Sequence, residues 1–327
     1  MAPLRIGTRS SPLALWQANH VADMLRSHTT RPVELIHIQT EGDRDQAASL
    51  AHIGGRGVFT KEIQRAVLDG RAHVAVHSLK DLPTGAVPGL VLAAVPPRGP
   101  IGDVLVTPTA MRFDDLPRGA TVATGSLRRR AQLLNRRPDL SLADIRGNVD
   151  TRLRKLREEG YDGLVLAQAG LERLGLANVI TEVLDPEWML PAVGQGALGL
   201  ECRTDDDETR RLLARFDEPN TRRAVEAERS LLFHLGVGCQ VPLGAAGRVV
   251  GPRVELRAAV LATDGSRRIA GDVAGPAQRA EELGRELAER LRGEGADELL
   301  GLSGSRRHLG RCQVFPHVTG ISCRWAC

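Results

Sequence analysis

The chain has 327 residues, 42% of them hydrophobic, and a formal net charge of +4. That is long enough for two or three domains with cores of their own, and the composition excludes a disordered chain. Aromatic residues are only 3%, which argues against reading single-stranded nucleic acid by stacking. Residues 303–327 hold four arginines (Arg306, Arg307, Arg311, Arg324) and no acid, so subtracting four from +4 leaves residues 1–302 neutral. No basic body is offered to a polyphosphate, and no nucleic-acid partner is expected. Lysine occurs only at Lys61, Lys80 and Lys155, so cationic chemistry falls mostly to arginine. Cys202 and Cys239 are the cysteines of the body, which suits a reducing cytosol better than a disulfide framework. No signal peptide precedes the first strand and no apolar run reaches membrane-spanning length, so a cytoplasmic protein without a membrane partner is expected.

In chain order, residues 4–7 read as a strand ending in Thr8-Arg9-Ser10-Ser11. Ser11 and Pro12 then fit the cap and first turn of a helix to about residue 28. Residues 33–39 alternate as a strand, residues 54–57 form a glycine-rich loop, and Thr60 begins an amphipathic helix to 68. Strands follow at 74–78 and 90–95. The βαβα rhythm predicts a doubly wound sheet. After the linker Pro96-Pro97-Arg98-Gly99-Pro100 a second α/β unit is expected. Its strands fall near 103–107, 121–123, 140–145 and 163–166, and its helices near 127–135, 151–159 and 168–174. Pro191-Ala192-Val193-Gly194-Gln195-Gly196 is a second crossing, followed by an apolar strand at 197–201 and helices near 208–216 and 222–235. Alternating segments around 254–262 and a helix at 278–292 predict a small α+β domain. The tail carries His308, Cys312, His317, Cys323 and Cys327, but at no finger spacing, so a disordered extension and no metal site are expected.

Three places carry candidate chemistry. Val74-Ala75-Val76-His77-Ser78-Leu79-Lys80-Asp81-Leu82-Pro83 is a buried strand that breaks at a charged corner. Open α/β sheets bind ligands just past such strand ends. Two further junctions, Ala123-Thr124-Gly125-Ser126-Leu127-Arg128-Arg129 and Ile145-Arg146-Gly147-Asn148-Val149-Asp150-Thr151-Arg152, each run from a strand through a turn to a helix. Arginine at a helix N-terminus opposes the helix dipole, so its repetition predicts an anion that offsets it. With Arg9, these positions point to a small ligand with several carboxylates held between two lobes. Phosphate fits less well, because no Walker loop or Gly-x-Gly-x-x-Gly follows a strand. Gly238-Cys239-Gln240-Val241-Pro242 places a cysteine in a loop that a ligand can approach, either as inert packing or as a nucleophile.

The chain resembles the porphobilinogen deaminase (hydroxymethylbilane synthase) family. The resemblance rests on residues 9–18, 77–83, 125–129, 146–152, 191–197 and 238–242, in the family's order across residues 4–302. It implies two periplasmic-binding-protein-like doubly wound domains plus a small C-terminal α+β domain. Residues 1–96 with 197–217 would form the first, 97–196 the second and 218–302 the third, with 303–327 outside. It implies a dipyrromethane cofactor in thioether linkage to Cys239, onto which four porphobilinogen molecules condense head to tail with loss of ammonia. Water then releases the linear hydroxymethylbilane, a precursor of heme, and the working form is expected to be a monomer.

By the same matching Asp81 is the catalytic carboxylate, expected to be ionised beside cations and to stabilise pyrrolic cations. Arg128, Arg129, Arg146 and Arg152 hold cofactor or chain carboxylates, Arg9, Arg173 and Ser126 lie near the substrate, and Lys80 assists the cofactor. Ser11, Thr124 and Gln195 complete the expected binding set. Three departures stand out: His52 where lysine is common, Gly125 where serine is usual, and an altered linker at 97–103 that puts an interdomain contact in question. A pure binding protein is the main rival, but it would not need Cys239 in a glycine loop. A metal-dependent hydrolase lacks a ligand cluster in the body.

Overall fold

The computed structural model describes residues 2–40, 60–238 and 240–302. His52, the glycine-rich loop at 54–57, Cys239 and the tail lie outside the described residues.

One sheet is built from β1 (Leu4–Thr8), β2 (Val33–His37), β3 (Val74–Ser78), β4 (Leu90–Ala94) and a late strand, β10 (Leu198–Arg203). Its order is β2-β1-β3-β10-β4, with β1 parallel to β2 and β3 and with β10 antiparallel to both its neighbours. Helix α1 (Pro12–Arg26) covers one face through Ala18, Val21, Ala22 and Leu25, a helical stripe set against Leu4, Ile6, Val74 and Val76. Its start follows the expected chemistry, for the Ser11 hydroxyl accepts the Ala14 N–H at 3.4 Å. Helix α2 (Lys61–Leu68) covers the other face with Ile63, Ala66 and Val67.

The second sheet comprises β5 (Asp103–Val106), β6 (Thr121–Ala123), β7 (Ser141–Ala143), β8 (Gly163–Ala167) and β9 (Glu182–Val183), in the order β7-β6-β8-β5-β9. Helices α3 (Leu127–Arg136), α4 (Val149–Glu158) and α5 (Gln168–Arg173) lie between and after its strands. The plan of the first sheet is repeated: three parallel strands, then an antiparallel strand, then an edge. The antiparallel member in each case is the strand that follows a crossing from the other lobe, β10 in one and β5 in the other. Each lobe is therefore completed by chain that has just left its partner. The strand expected at 140–145 is shorter than its apolar run. The two-residue β9 was not anticipated, being too short to show a period.

The two crossings lie side by side, with the Gly99 N–H donating to the Gly196 carbonyl at 3.1 Å. Gly196 has φ +83°, and a Cβ there would sit 2.6 Å from the Gly99 oxygen and 2.7 Å from the Pro100 oxygen. Only glycine lets the strands cross this closely.

Beyond β10, α6 (Asp207–Ala214) and α7 (Pro219–His234) lead to an antiparallel sheet of β11 (Leu243–Val250), β12 (Arg253–Leu261) and β13 (Arg268–Pro276). Helix α8 (Ala280–Gly293) packs with α7 over this sheet, and α9 (Ala296–Leu299) closes the core. The unit is docked on the second lobe, where Ala131 of α3 and Leu190 meet Ala259 and Leu261 of β12. Asn135 adds a hydrogen bond of 2.8 Å to the Gly265 carbonyl. It grips the crossings through Glu228 of α7, which is fully buried. One carboxylate oxygen accepts from Arg98 Nη1 and the Gly247 N–H, both at 2.7 Å. The other accepts from Arg98 Nη2 at 3.0 Å and the Gly194 N–H at 2.7 Å. The altered linker thus still makes an interdomain ion pair, through Arg98.

Removing Glu228 strands a guanidinium and two backbone donors away from water. Glu228→Ala is expected to destabilise the fold by about 3–5 kcal/mol in urea unfolding. A loss under about 1 kcal/mol would mean that the crossings are held elsewhere.

Candidate active site

Strand β3 runs into a single 3₁₀ turn, Leu79–Asp81, before Leu82 returns to extended backbone. Leu79 is buried and anchors the turn, which leaves Lys80 half-buried and Asp81 exposed at the mouth of the cleft. The turn rests on the second crossing. Gly194 has φ +71°, and a Cβ there would lie 3.2 Å from both the Leu79 carbonyl carbon and the Lys80 nitrogen. Arg229 of α7 fixes the far side, donating to the Leu82 carbonyl at 2.9 Å and the Pro83 carbonyl at 2.8 Å. All three units of the fold therefore meet at the Lys80-Asp81 corner.

Three cavities surround that corner and share walls. The first, about 210 Å³, lies between the lobes and includes Arg9, Ser11, Lys80, Arg129, Arg152 and Arg173 in its lining. A smaller one of about 90 Å³ includes Arg9, Gln17, His77 and Asp81. The last, about 120 Å³, has Lys80 and Asp81 on one side and Val237 and Gly238 on the other. Gly238 immediately precedes Cys239, which itself lies outside the described residues. The charged corner and the approach to the cysteine thus open on the same space.

The arginines divide into two groups. Arg128 and Arg129, at the start of α3, are buried against Asp103 of β5. Arg128 Nη1 reaches Asp103 Oδ2 at 2.5 Å and the Leu190 carbonyl at 2.7 Å. Arg129 Nε and Nη2 reach Asp103 Oδ1 at 3.0 and 2.8 Å, and its Nη1 donates to the Val165 carbonyl at 3.0 Å. Burial alone would raise the Asp103 pKa, but the two guanidiniums outweigh it and hold the carboxyl well below its usual range. The anion that these helix-start arginines demand is, in this structure, the protein's own Asp103. Gln195 belongs to the same cluster, its Nε2 donating to Asp103 Oδ1 at 2.9 Å and to the Ile101 carbonyl at 2.8 Å.

The second group faces the cleft. Arg152, in the first turn of α4, donates to the Gly147 carbonyl at 2.8 Å. Burial first, then Arg129 and Arg146, push its pKa down to about 10. Arg173 donates to the Gly196 carbonyl at 2.6 Å and lies 5.5 Å over the Trp16 ring of the other lobe, with its pKa lowered by burial. Arg146 stands 3.4 Å from Asp144. Lys80 is perturbed in the same direction: burial, with Arg129 and Arg128, outweighs Asp81 and Asp103 and pushes its pKa down to about 8. Among the described residues its Nζ has no hydrogen-bond partner. Lys80, Arg152 and Arg173 are short of negative charge, and carboxylates entering the cleft would supply it.

Of the remaining expected residues, Ser11 and Ser126 serve as helix caps, and Thr124 Oγ1 accepts the Ser126 N–H at 3.3 Å. Ser11 lines the cleft, whereas Gln195 is buried behind it. Gly125 lies so close to the neighbouring turn that a Cβ would fall 2.7 Å from the Ile145 carbonyl oxygen. Here the smaller residue matches the backbone.

Asp103, Gln17 and Glu228 were not singled out from the sequence. Gln17 lines two of the cavities and donates to Ser78 Oγ at 2.7 Å. Asp103 carried a signal, a carboxylate heading an otherwise apolar strand. Among the described residues no group of three or more His, Cys, Asp or Glu is placed to hold a metal. No described helix is long and apolar enough to cross a membrane.

The fold and cleft define a two-lobed protein with cations lining the space between the lobes beside an exposed carboxylate, and with a third domain packed near the strand end. A family model described as "Porphobilinogen deaminase, dipyromethane cofactor binding domain" matches residues 4–211, and one described as "Porphobilinogen deaminase, C-terminal domain" matches residues 222–293. The chain belongs to the porphobilinogen deaminase family. It is similar to the porphobilinogen deaminase of Syntrophotalea carbinolica, with 50% identity over 298 residues, covering 91% of this chain and 95% of that one. The porphobilinogen deaminase of Geobacter metallireducens is 47% identical over 303 residues, covering 92% and 95%. A solved periplasmic VFT2 domain of Bordetella pertussis BvgS aligns at a TM-score of 0.38 with 18% identity, covering 65% of this chain and 85% of that one.

Because Lys80 has a folded pKa of about 8 against 10.5 for free lysine, its proton is bound more weakly in the fold than in the unfolded chain. Its electrostatic cost is present in full below pH 8 and disappears as pH rises toward 10.5. With only three lysines, NMR of the isotopically methylated protein can follow each one. The expected result is a Lys80 midpoint near 8 that rises when a small dicarboxylate is added. A midpoint at the ordinary lysine value would contradict a cation starved of partners.

Proposed function

We propose that this chain is a hydroxymethylbilane synthase. In this reading it condenses four porphobilinogen molecules head to tail with loss of ammonia, and water then releases the linear tetrapyrrole. The observation that carries the proposal is the cleft's unbalanced charge. Lys80, Arg152 and Arg173 are held there with pKa values lowered by burial, beside an exposed carboxylate. Porphobilinogen bears acetate and propionate arms that match those cations, and a pyrrole N–H that suits Asp81.

The same residues fit a dipyrromethane, which carries four such acidic arms. Lys80, Arg129 and Arg152 would hold those arms, and the cavity between Asp81 and Gly238 provides the approach to Cys239, the proposed attachment point. When bound, that group would supply the free pyrrole α-carbon to which the first unit is added, each later unit adding to the terminal pyrrole of the chain. Arg146, Thr124 and Ser126, at the start of the second lobe's helices, would hold the arms of the growing chain. Arg9, Ser11 and Arg173 would orient the incoming substrate, and buried Gln195 would brace Asp103.

Ammonia leaves porphobilinogen with the C–N bonding electrons and generates a cationic azafulvene. The Asp81 carboxylate at the pyrrole N–H lowers the energy of that cation. After the new C–C bond forms, the displaced α-proton needs a base, and Asp81 would take it. We read the domain boundaries at 96/97, 196/197 and 217/218, a division that the two crossings and the separate third core support. We also read the working form as a cytoplasmic monomer without a nucleic-acid partner. The formal charge of residues 1–302 is zero, which supports the absence of a nucleic-acid partner.

Incubation with porphobilinogen is expected to release ammonia and hydroxymethylbilane, and intact mass is expected to show a covalent addition of two pyrrole units. Cys239→Ser should lack that addition. Asp81→Ala should keep the fold and lose turnover by at least about a hundredfold. Near-normal turnover of Asp81→Ala, or a folded wild-type protein with no added mass, would refute the assignment.

A further inference from the structure

Behind the Lys80-Asp81 corner lies a polar pair that the reaction above does not use. His77, on β3, is 4% exposed, and Glu201, on β10, is 6% exposed. His77 Nε2 stands 3.0 Å from Glu201 Oε2, and the same oxygen accepts the Gln64 amide of α2 at 2.9 Å. Burial would raise the Glu201 pKa, but His77, Gln64 and Arg229 together lower it, so the carboxylate is charged beside the imidazole. The surroundings are apolar, with Ile63, Ala66, Val67 and Ala75 in the same layer. A buried charged carboxylate in such a layer adds little stability over a hydrophobic replacement, so its presence needs another explanation.

The position of His77 supplies one. It precedes Asp81 by four residues and lines the cavity of about 90 Å³ that Asp81 also lines, together with Arg9, Ser11, Gln17, Thr60 and Ser78. A space of that size holds ordered water, and several of these polar side chains can bind it. An imidazole whose one nitrogen faces a carboxylate is oriented at the other, which is how second-partner carboxylates set a histidine's tautomer and basicity.

We propose that His77, oriented by Glu201, is a positioning and proton-relay partner of Asp81. The inference rests on the reaction proposed above. As the new C–C bond forms, the α-carbon of the terminal pyrrole becomes tetrahedral. Its C–H bond then breaks, and the bonding electrons restore the aromatic ring. The proton goes to the Asp81 carboxylate and passes through cavity water to neutral His77, giving an imidazolium paired with ionised Glu201. It finally reaches the released ammonia, which departed with the C–N electron pair and ends as ammonium. No oxidant, reductant or further reactant is required. Among the described residues, the charged groups near His77 are Glu201 from β10, Arg9 and Asp81 at the cavity, and Arg229 acting through Glu201. Gln64 from α2 is neutral.

The test begins without substrate. In the intact protein the His77 imidazole is assigned by its loss in His77→Gln, and its titration is followed by NMR in wild type, Asp81→Asn and Glu201→Gln. Removing either negative charge is expected to lower the His77 midpoint by about 0.5 unit or more. Asp81 is exposed, so Asp81→Asn reports on coupling even if the buried variants fold poorly. An unmoved midpoint in Asp81→Asn would overturn the proposal. With porphobilinogen, His77→Gln and Glu201→Gln are expected to lower kcat about tenfold or more while KM stays within about twofold, with an increased solvent isotope effect. Wild-type kcat in folded His77→Gln would also overturn it. Failure of the wild type to consume porphobilinogen would instead refute the parent reading, while the substrate-free titration still shows whether the two side chains are coupled.

Discussion

At the back of the cleft, one carboxylate bridges two guanidiniums where three parts of the chain converge. Asp103 opens the strand that enters the second lobe, Arg128 and Arg129 open helix α3, and Gln195 sits on the return crossing. Without that carboxylate, two adjacent cations would be buried at a helix N-terminus, where the dipole also opposes them. With it, α3 can begin beside the ligand space and the returning crossing can pass close behind. The crossing in turn supports the turn that carries Lys80 and Asp81. Placement of the reactive corner therefore depends on a charge cluster in the opposite lobe.

The cluster also determines which positive charge remains for a ligand. Asp103 offsets one of the two unit charges on Arg128 and Arg129, so the pair serves largely as framework and leaves one positive charge on the cleft side, where Arg129 lines the space. Charge still uncompensated is concentrated on Lys80, Arg152 and Arg173, whose pKa values burial lowers. Those three come from different segments: the end of β3, the start of α4 and the end of α5. Arg173 additionally contacts Trp16 of the first lobe and the Gly196 carbonyl of the crossing. A carboxylate that draws on these groups would thus act on both lobes and the crossing at once. Ligand charge and lobe geometry are coupled through the same side chains.

Local features of this arrangement were legible in the sequence. Ser11-Pro12 and Ser126 start their helices as their chemistry requires. The apolar run ending at Ser78 forms the strand beside the cleft, and the expected boundaries at 121–123 and 127–135 lie within one residue of the observed elements. Pairings between distant segments were not legible from local pattern. The membership of β10 in the first sheet came from family resemblance, because an apolar strand carries no label for its neighbour. The same limit hid Asp103 as the anion for Arg128, since 25 residues separate them. Glu228 offered a subtler signal: it shares the apolar face of α7 with Ala224, Ala227 and Leu231, and a charge in that phase requires a buried partner.

A carboxylate inside an apolar pattern marks a shared structural logic here. Asp103 heads an apolar strand, Glu201 interrupts one, and Glu228 occupies the core face of a helix. All three are buried, and each meets a cation or imidazole brought from another segment. Hydrophobic residues of similar volume could fill these sites at comparable stability, but they would not specify direction or register. A carboxylate with four acceptor positions does, because each donor must arrive along its own line. Glu228 fixes the crossings against the third domain, Asp103 fixes α3 against the return crossing, and Glu201 ties β3 to β10 beneath Asp81. Asp103 and Glu228 hold the crossings between the lobes, and Glu201 lies behind the strand that carries the reactive corner.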